Sequence, residues 1–396
     1  MTATRLLLPA RALQQPEWAS LDELKDVLLS LEAKPPLVDH TACADLTTEL
    51  GRAARGEAFV LQAGECAERF ADANPETVLA KADQLHLLAD EFTDAGGLPT
   101  VRMGRIAGQY AKPRSNPTET LSDGTVLPVY RGDAVNAPEP TPAARAALPS
   151  RLLLAYRNAG NTLSTLLERD LGLAGRTAAP QRTYAGHEAL LLEYEQALVR
   201  PDADGGRYGS SGHFLWIGDR TRQPDHQHVQ FAASVSNPVG VKIGPKASPE
   251  EVRTLVRMLG DRGRPGRLSL IVRMGREQIV PRLTALLRAL GDEAAGVAWI
   301  CDPMHGNTRT NGAGQKSRAV DDVMTEIEGF VSALHAHGLR PAGLMLETAH
   351  RPVTECVDTA AELASPTPLP HYESACDPRL SPRQARRVVA RTAALL

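Results

Sequence analysis

Apolar positions along this chain recur in two rhythms. A spacing of three and four marks helices, and short continuous runs of four to eight apolar residues mark buried strands. The first 57 residues carry the helical rhythm: SLDELKDVLLSLE opens on a Ser suited to cap a helix, and ACADLTTELGRAARG follows after the break at KPPLV. Eight runs then have strand character: AFVLQ (58–62), TVRMGRIAG (100–108), HFLWIG (213–218), VGVKIG (239–244), LSLIVRMG (268–275), VAWICD (297–302), AGLMLE (342–347) and HYESAC (371–376). Amphipathic segments such as PETVLAKADQLHLLADEF, SPEEVRTLVRMLGDRG, REQIVPRLTALLRALG and DDVMTEIEGFVSALHAHG lie between most of them. Strand and helix in alternation imply a parallel sheet, and eight repeats favour a closed (β/α)8 TIM barrel over an open sheet. The organisation expected is an N-terminal helical extension (1–57) and a catalytic barrel (58–396). A helical insertion after the second strand (about 109–211) is expected to carry helices near 149–170 and 186–199.

Composition narrows the class. With 396 residues, 42% hydrophobic and 23% charged, the chain can bury a large core. A formal net charge of −3 leaves no basic excess to displace counterions, so nucleic acid is not an expected partner. No apolar stretch is long enough to cross a bilayer, and the N-terminal apolar run is too short for a secretory signal; a cytoplasmic protein is expected. The five cysteines are scattered and odd in number, which argues against a disulfide framework and leaves thiols available to a metal.

Reactive side chains cluster at the ends of these runs. Cys66 in FVLQAGECAERF, His305 in VAWICDPMHGNT, Glu347 in GLMLETAH and Asp377 in HYESACDPRL offer a thiolate, an imidazole and two carboxylates. That mixed set suits a divalent first-row metal better than Ca²⁺ or Mg²⁺. Cations occupy equivalent places: Arg105, Lys112 and Arg114, with Ser115, in RMGRIAGQYAKPRS, Arg220 and Arg222 in WIGDRTRQ, Lys242 in GVKIGP, and Arg273 in IVRMG. Guanidinium forks and Gly-rich turns both bind oxyanions. A metal among so many cations points to phosphorylated substrates, two of them.

The strings RIAGQYAKPRS, HEALLLEYE, GVKIGP, CDPMHGNT, VTEC and CDPRL, together with LQQPEW at the start, resemble the type II 3-deoxy-D-arabino-heptulosonate 7-phosphate (DAHP) synthases, across essentially the whole chain. The resemblance implies a TIM barrel that condenses phosphoenolpyruvate with D-erythrose 4-phosphate, the first step of the shikimate pathway. It implies a divalent metal, Mn²⁺ or Co²⁺ foremost with Zn²⁺ or Fe²⁺ as alternatives, held by Cys66, His305, Glu347 and Asp377. It places Arg105, Arg220, Lys242 and Arg273 on phosphoenolpyruvate, and Lys112, Arg114 and Ser115 on the phosphorylated aldose. Asp219 is the candidate for orienting water and Lys242 for donating a proton, with Arg220 beside them. A homo-oligomer (dimer or tetramer) and an associated chorismate mutase are further expectations.

Three positions depart from the family's usual pattern. Asp219 stands where Glu is usual, TAHRPVTEC replaces a string close to TGENVTEC, and Gly186 stands where Ser is common. The extra positive charge of His350 and Arg351 keeps open the same chemistry on an amino or imino aldose phosphate. A non-catalytic regulatory homologue is the alternative from another class. The chain is compact for the family, which points to a form serving secondary metabolism.

Overall fold

The computed structural model describes residues 11–121, 123–173, 182–203, 205–261 and 264–396. Eight parallel strands form a closed barrel. They are β1 Phe59–Gly64, β2 Thr100–Arg105, β3 Thr183–Glu188, β4 Phe214–Ile217, β5 Val239–Ile243, β6 Leu268–Val272, β7 Ala298–Cys301 and β8 Gly343–Glu347. Each pairs with its neighbours in chain order, and β1 against β8 completes the ring with Gly64 opposite Glu347.

Among the described residues, ten α-helices of six residues or more accompany the barrel. Before β1 come α1 Leu21–Glu32 and α2 His40–Ala54, and Ser20 caps α1 by accepting a bond from the Glu23 N–H, as its sequence anticipates. Then follow α3 Pro75–Gly96, α4 Ser150–Leu173, α5 Leu192–Ala197, α6 Gln227–Ser234, α7 Pro249–Leu259, α8 Ile279–Leu290, α9 Val320–His335 and α10 Pro382–Ala393.

Side chains alternate across each strand, so two cores form. Phe59, Leu61 and Ala63 face outward onto Leu85, Leu88 and Phe92 of α3, with the Phe59 and Phe92 rings stacked at 4.1 Å. Val60, Met103, Tyr184, Phe214, Trp216, Ile271, Ile300 and Met345 fill the interior. Leu46, Leu50 and Ala53 of α2 join that interior cluster, so this helix plugs the barrel's N-terminal end. Its approach is close enough that a Cβ on Gly51 would lie 2.7 Å from the Pro265 carbonyl oxygen. With that end plugged, the polar residues at the strands' C-terminal ends face the only other mouth a barrel has.

Three expectations are corrected. The third barrel strand, β3, lies inside the span read as an insertion, and HYESAC is not a strand. The true connection between β2 and β3 therefore covers 106–182, with α4 where a helix at 149–170 was expected. His187 and Glu188 close β3 instead of opening a helix, which begins only at Leu192. In the HYESAC segment the backbone finds a side-chain partner in place of a sheet: Glu355 Oε1 accepts the N–H groups of Glu373 and Ser374 at 3.0 and 2.8 Å.

Candidate active site and metal centre

The barrel brings the four ligand candidates to one point. Cys66 lies just beyond β1, His305 beyond β7, Glu347 ends β8 and Asp377 lies on the loop after it. Their donor atoms all lie within 4.8 Å of one another. Cys66 Sγ is 3.4 Å from Asp377 Oδ2, and His305 Nε2 is 3.0 Å from Glu347 Oε1. The other imidazole nitrogen, Nδ1, is 2.7 Å from Asp302 Oδ2. A carboxylate on one nitrogen fixes the tautomer that leaves the other free to ligate, the usual support of a metal-bound imidazole. A soft sulfur, a borderline nitrogen and two hard oxygens in a buried cluster fit a divalent first-row ion.

The electrostatics agree with that reading. Burial alone would keep Glu347 neutral, yet His305, Arg318 and Arg105 together hold its carboxyl well below the ordinary range. Arg318 Nη2 lies 2.8 Å from Glu347 Oε2, both side chains fully buried, as an ion pair without hydrogen-bond alignment. Asp377 is likewise held low against burial, chiefly by Lys112. The Lys112 ammonium sits between Cys66 Sγ and Asp377 Oδ2, and Lys316 Nζ contacts Asp377 Oδ1 at 3.0 Å. Burial, Glu347 and Asp377 push the Cys66 thiol up, and Lys112 opposes them. Positive charge is therefore favoured where these donors meet.

Beside the ligands stands the cationic floor of the mouth. Arg105 and Lys242 are buried and point inward from β2 and β5, over the face of Trp216 at 5.1 and 6.0 Å. Arg105 Nη2 reaches Glu347 Oε1 at 3.2 Å, and Lys242 pairs with Asp302. Burial lowers the Lys242 pKa, with Arg105 and Arg273 adding to it and Asp302 resisting. Arg273 bonds Asp219 Oδ2 at 3.1 Å and the His305 carbonyl at 2.9 Å.

Asp219 proves to be committed on both oxygens. Oδ1 accepts the Gly244 N–H at 2.8 Å and Oδ2 accepts from Arg273, so it ties the KIGP turn to the β6 loop. Arg220 is exposed at the rim, where its Nη2 donates to Ser115 Oγ at 2.7 Å. Arg114 sits half-buried in the same loop. The expected residues thus fall in two groups, a deep one around Arg105, Lys242 and Arg273 and an outer one around Arg114, Ser115 and Arg220, with Lys112 between the outer loop and the ligand cluster.

The model of the class-II DAHP synthetase family matches residues 7–175 and 174–393. This chain belongs to that family. A relative from Streptomyces coelicolor, phospho-2-dehydro-3-deoxyheptonate aldolase, is 39% identical over 418 residues, covering 94% of this chain and 93% of the relative. The corresponding AroG protein of Mycolicibacterium smegmatis is 35% identical over 434 residues, covering 97% and 92%. A solved structure of the aldolase from Francisella tularensis superposes with a TM-score of 0.57 at 13% identity, covering 94% of this chain and 96% of that one. At that identity the likeness speaks for the barrel fold alone.

Three residues at this family member's mouth escaped the sequence reading, and a fourth, Glu188, was read with His187 as opening a helix. Asp302 carried a usable signal, being a strand-end acid three residues before His305. Arg318 had none, since nothing in GQKSRAV distinguishes it from a surface cation. Glu326 Oε1 accepts the N–H groups of Met274 and Gly275, and its Oε2 accepts from Asn307, so it clamps the β6 and β7 loops together. Glu188, inward on β3, is half-buried, with its Oε1 atom buried and unbonded; burial raises its pKa against Lys242 and Arg105.

Proposed function

We propose that the chain condenses phosphoenolpyruvate with D-erythrose 4-phosphate to give DAHP and inorganic phosphate, with a divalent metal bound by Cys66, His305, Glu347 and Asp377. The observation that carries the reading is the convergence of those four donors within 4.8 Å, beside a buried arginine–lysine floor. Mn²⁺ or Co²⁺ best suits the donors. When bound, such an ion polarises the aldehyde of the acceptor as a Lewis acid.

The protein's own groups then have definite tasks. Arg105, Lys242 and Arg273 hold the carboxylate and phosphate of phosphoenolpyruvate against the face of Trp216, and Arg220 reaches in from the rim. Lys112, Arg114 and Ser115 hold the aldose phosphate, so that its aldehyde carbon meets C3 of the enol. Fixing two reactants in this way supplies several kcal/mol of the barrier without any new bond. As the carbon–carbon bond forms, positive charge develops at C2, water adds there, and phosphate departs with cleavage of the C–O bond. Lys242, a proton donor whose pKa burial has lowered, stands at the deep end to supply a proton to the departing phosphate. Asp219, both of whose oxygens are engaged, acts by holding Arg273 and the Gly244 turn. Glu188, with a free buried oxygen, takes the task of orienting water.

The departure at TAHRP does not favour a modified aldose. Arg351 Nε bonds Glu373 Oε2 at 2.7 Å, and Ala349 is fully buried, so the added charge is answered locally. The route of bond cleavage is the test. Phosphoenolpyruvate carrying heavy oxygen at the bridging position should deliver all of the label to inorganic phosphate. Label retained in the seven-carbon product would mean P–O cleavage and would defeat the mechanism.

A further inference from the structure

The N-terminal strap Arg11–Gln15 lies across the mouth and touches the loops after three strands. Gln14 Oε1 accepts the Arg114 N–H at 2.9 Å, and the Gln14 carbonyl accepts from Arg131 Nη2 at 2.5 Å, both on the loop after β2. Gln15 bonds the Leu190 carbonyl at 2.8 Å, on the loop after β3, and the N–H of Leu192, which opens α5, at 3.1 Å. Arg11 pairs with Asp225, on the loop after β4, at 2.5 Å. Gln14 holds φ at 63°, left-handed backbone that an L side chain adopts only when its surroundings insist. The two bonds to Arg114 and Arg131 are what insist.

Arg131 is welded to the acceptor loop from the other side as well. Its carbonyl accepts the Lys112 N–H at 2.8 Å, and its own N–H is held by Asn136 Oδ1 at 2.9 Å. The next residue, Gly132, has φ 106°, and a Cβ there would lie 2.2 Å from the Tyr110 carbonyl oxygen, so this fit requires glycine. The Arg131 guanidinium is half-buried and bonds a neutral carbonyl, with no ion pair to a carboxylate among the described residues. Burial and then the like charge of Arg114 press on it, and Glu17 only partly offsets them. A half-buried guanidinium that feels the like charge of Arg114, with so little negative charge to answer it, suits an oxyanion. Ser115 and Arg220 stand on the same rim.

We infer that Arg131 belongs to the subsite for the acceptor's phosphate monoester, and that Gln14 is a positioning residue that keeps Arg131 and the Lys112–Ser115 loop in register. The inference deepens the proposed condensation and rests on it. Arg131→Met keeps the aliphatic stem and removes the fork; Arg131→Lys restores a point charge without the fork. Gln14→Gly keeps the left-handed backbone and the carbonyl while deleting the side-chain bond to Arg114.

In the full-length, metal-loaded protein, Arg131→Met should raise KM for erythrose 4-phosphate by roughly tenfold or more. Arg131→Lys should recover part of that loss, and Gln14→Gly should raise the same KM by about threefold. Phosphoenolpyruvate affinity, read from tryptophan fluorescence without aldose, should stay within about twofold. An aldose KM within twofold of wild type for Arg131→Met, or equal losses for both substrates, would overturn the inference. Thermal shift with inorganic phosphate separates it from the condensation itself. A phosphate-dependent rise in Tm that Arg131→Met abolishes supports the anion site even where wild type fails to turn over; a rise that the variant keeps overturns it.

Discussion

Asp302→Asn tests how the proposed metal site is supported. In the native protein Asp302 Oδ1 accepts the Met304 N–H at 3.1 Å and the His305 N–H at 3.3 Å, while Oδ2 faces His305 Nδ1 at 2.7 Å and the Lys242 ammonium. Burial opposes its charge, yet His305 and Lys242 hold the carboxyl well below the ordinary range. An amide of the same shape can keep its oxygen on the backbone N–H groups, but its NH₂ must then face two donors. The imidazole is driven to the tautomer with hydrogen on Nε2, which cannot ligate. Loss of such a support costs about 10- to 100-fold in metal affinity, or about 1.4–2.7 kcal/mol. Lys242, left in a buried site without its counter-charge, adds a stability loss of about 3 kcal/mol. Titration with Mn²⁺ against a competing chelator measures the first quantity, and urea unfolding of the metal-free protein measures the second. A variant that binds Mn²⁺ within twofold of wild type would refute the argument.

Other perturbations follow from named contacts. Gly186→Ser would place a Cβ 2.8 Å from the Phe214 carbonyl oxygen and should cost about 1–3 kcal/mol, read as a lower Tm. Asp219→Asn weakens the hold on Arg273 and should lower kcat at least roughly tenfold, with Asp219→Glu recovering little because Gly244 and Arg273 fit the shorter chain. Burial pushes the Glu326 carboxyl from 4.5 up to about 7. A raised carboxyl gives stability that is full below the unfolded value and lost as pH rises through the folded one. Unfolding free energy of wild type should therefore fall between about pH 5 and 8, and Glu326→Gln should flatten that fall by up to about 3 kcal/mol in urea titrations across pH; parallel curves would count against a raised Glu326.

Much of this molecule was legible in its residues, for physical reasons that also explain the gaps. Seven strands announce themselves because they are buried on both faces and read as apolar runs. β3 does not, because TYAGHE turns Tyr184, Gly186 and Glu188 inward, from the plugged end to the mouth, and sets Thr183, Ala185 and His187 on the other face. No β-branched run survives that double demand, and the following LLLEYE supplied a helical rhythm that masked it. HYESAC misled in the opposite sense, since its polar backbone is satisfied by Glu355, distant in sequence from it. The four candidate donors were visible because each sits in a distinct string at the end of an apolar run. Asp302, Arg318 and Glu326 act through other side chains, and only the folded barrel brings those partners within reach.

The proposed condensation is tested most directly by mixing the purified, metal-reconstituted chain with phosphoenolpyruvate and erythrose 4-phosphate and following loss of the enol absorbance, with and without chelator. Rapid consumption is expected, with one phosphate released per enol lost and arrest by chelator that Mn²⁺ or Co²⁺ reverses. No consumption with any divalent ion, while phosphoenolpyruvate still binds, would contradict it.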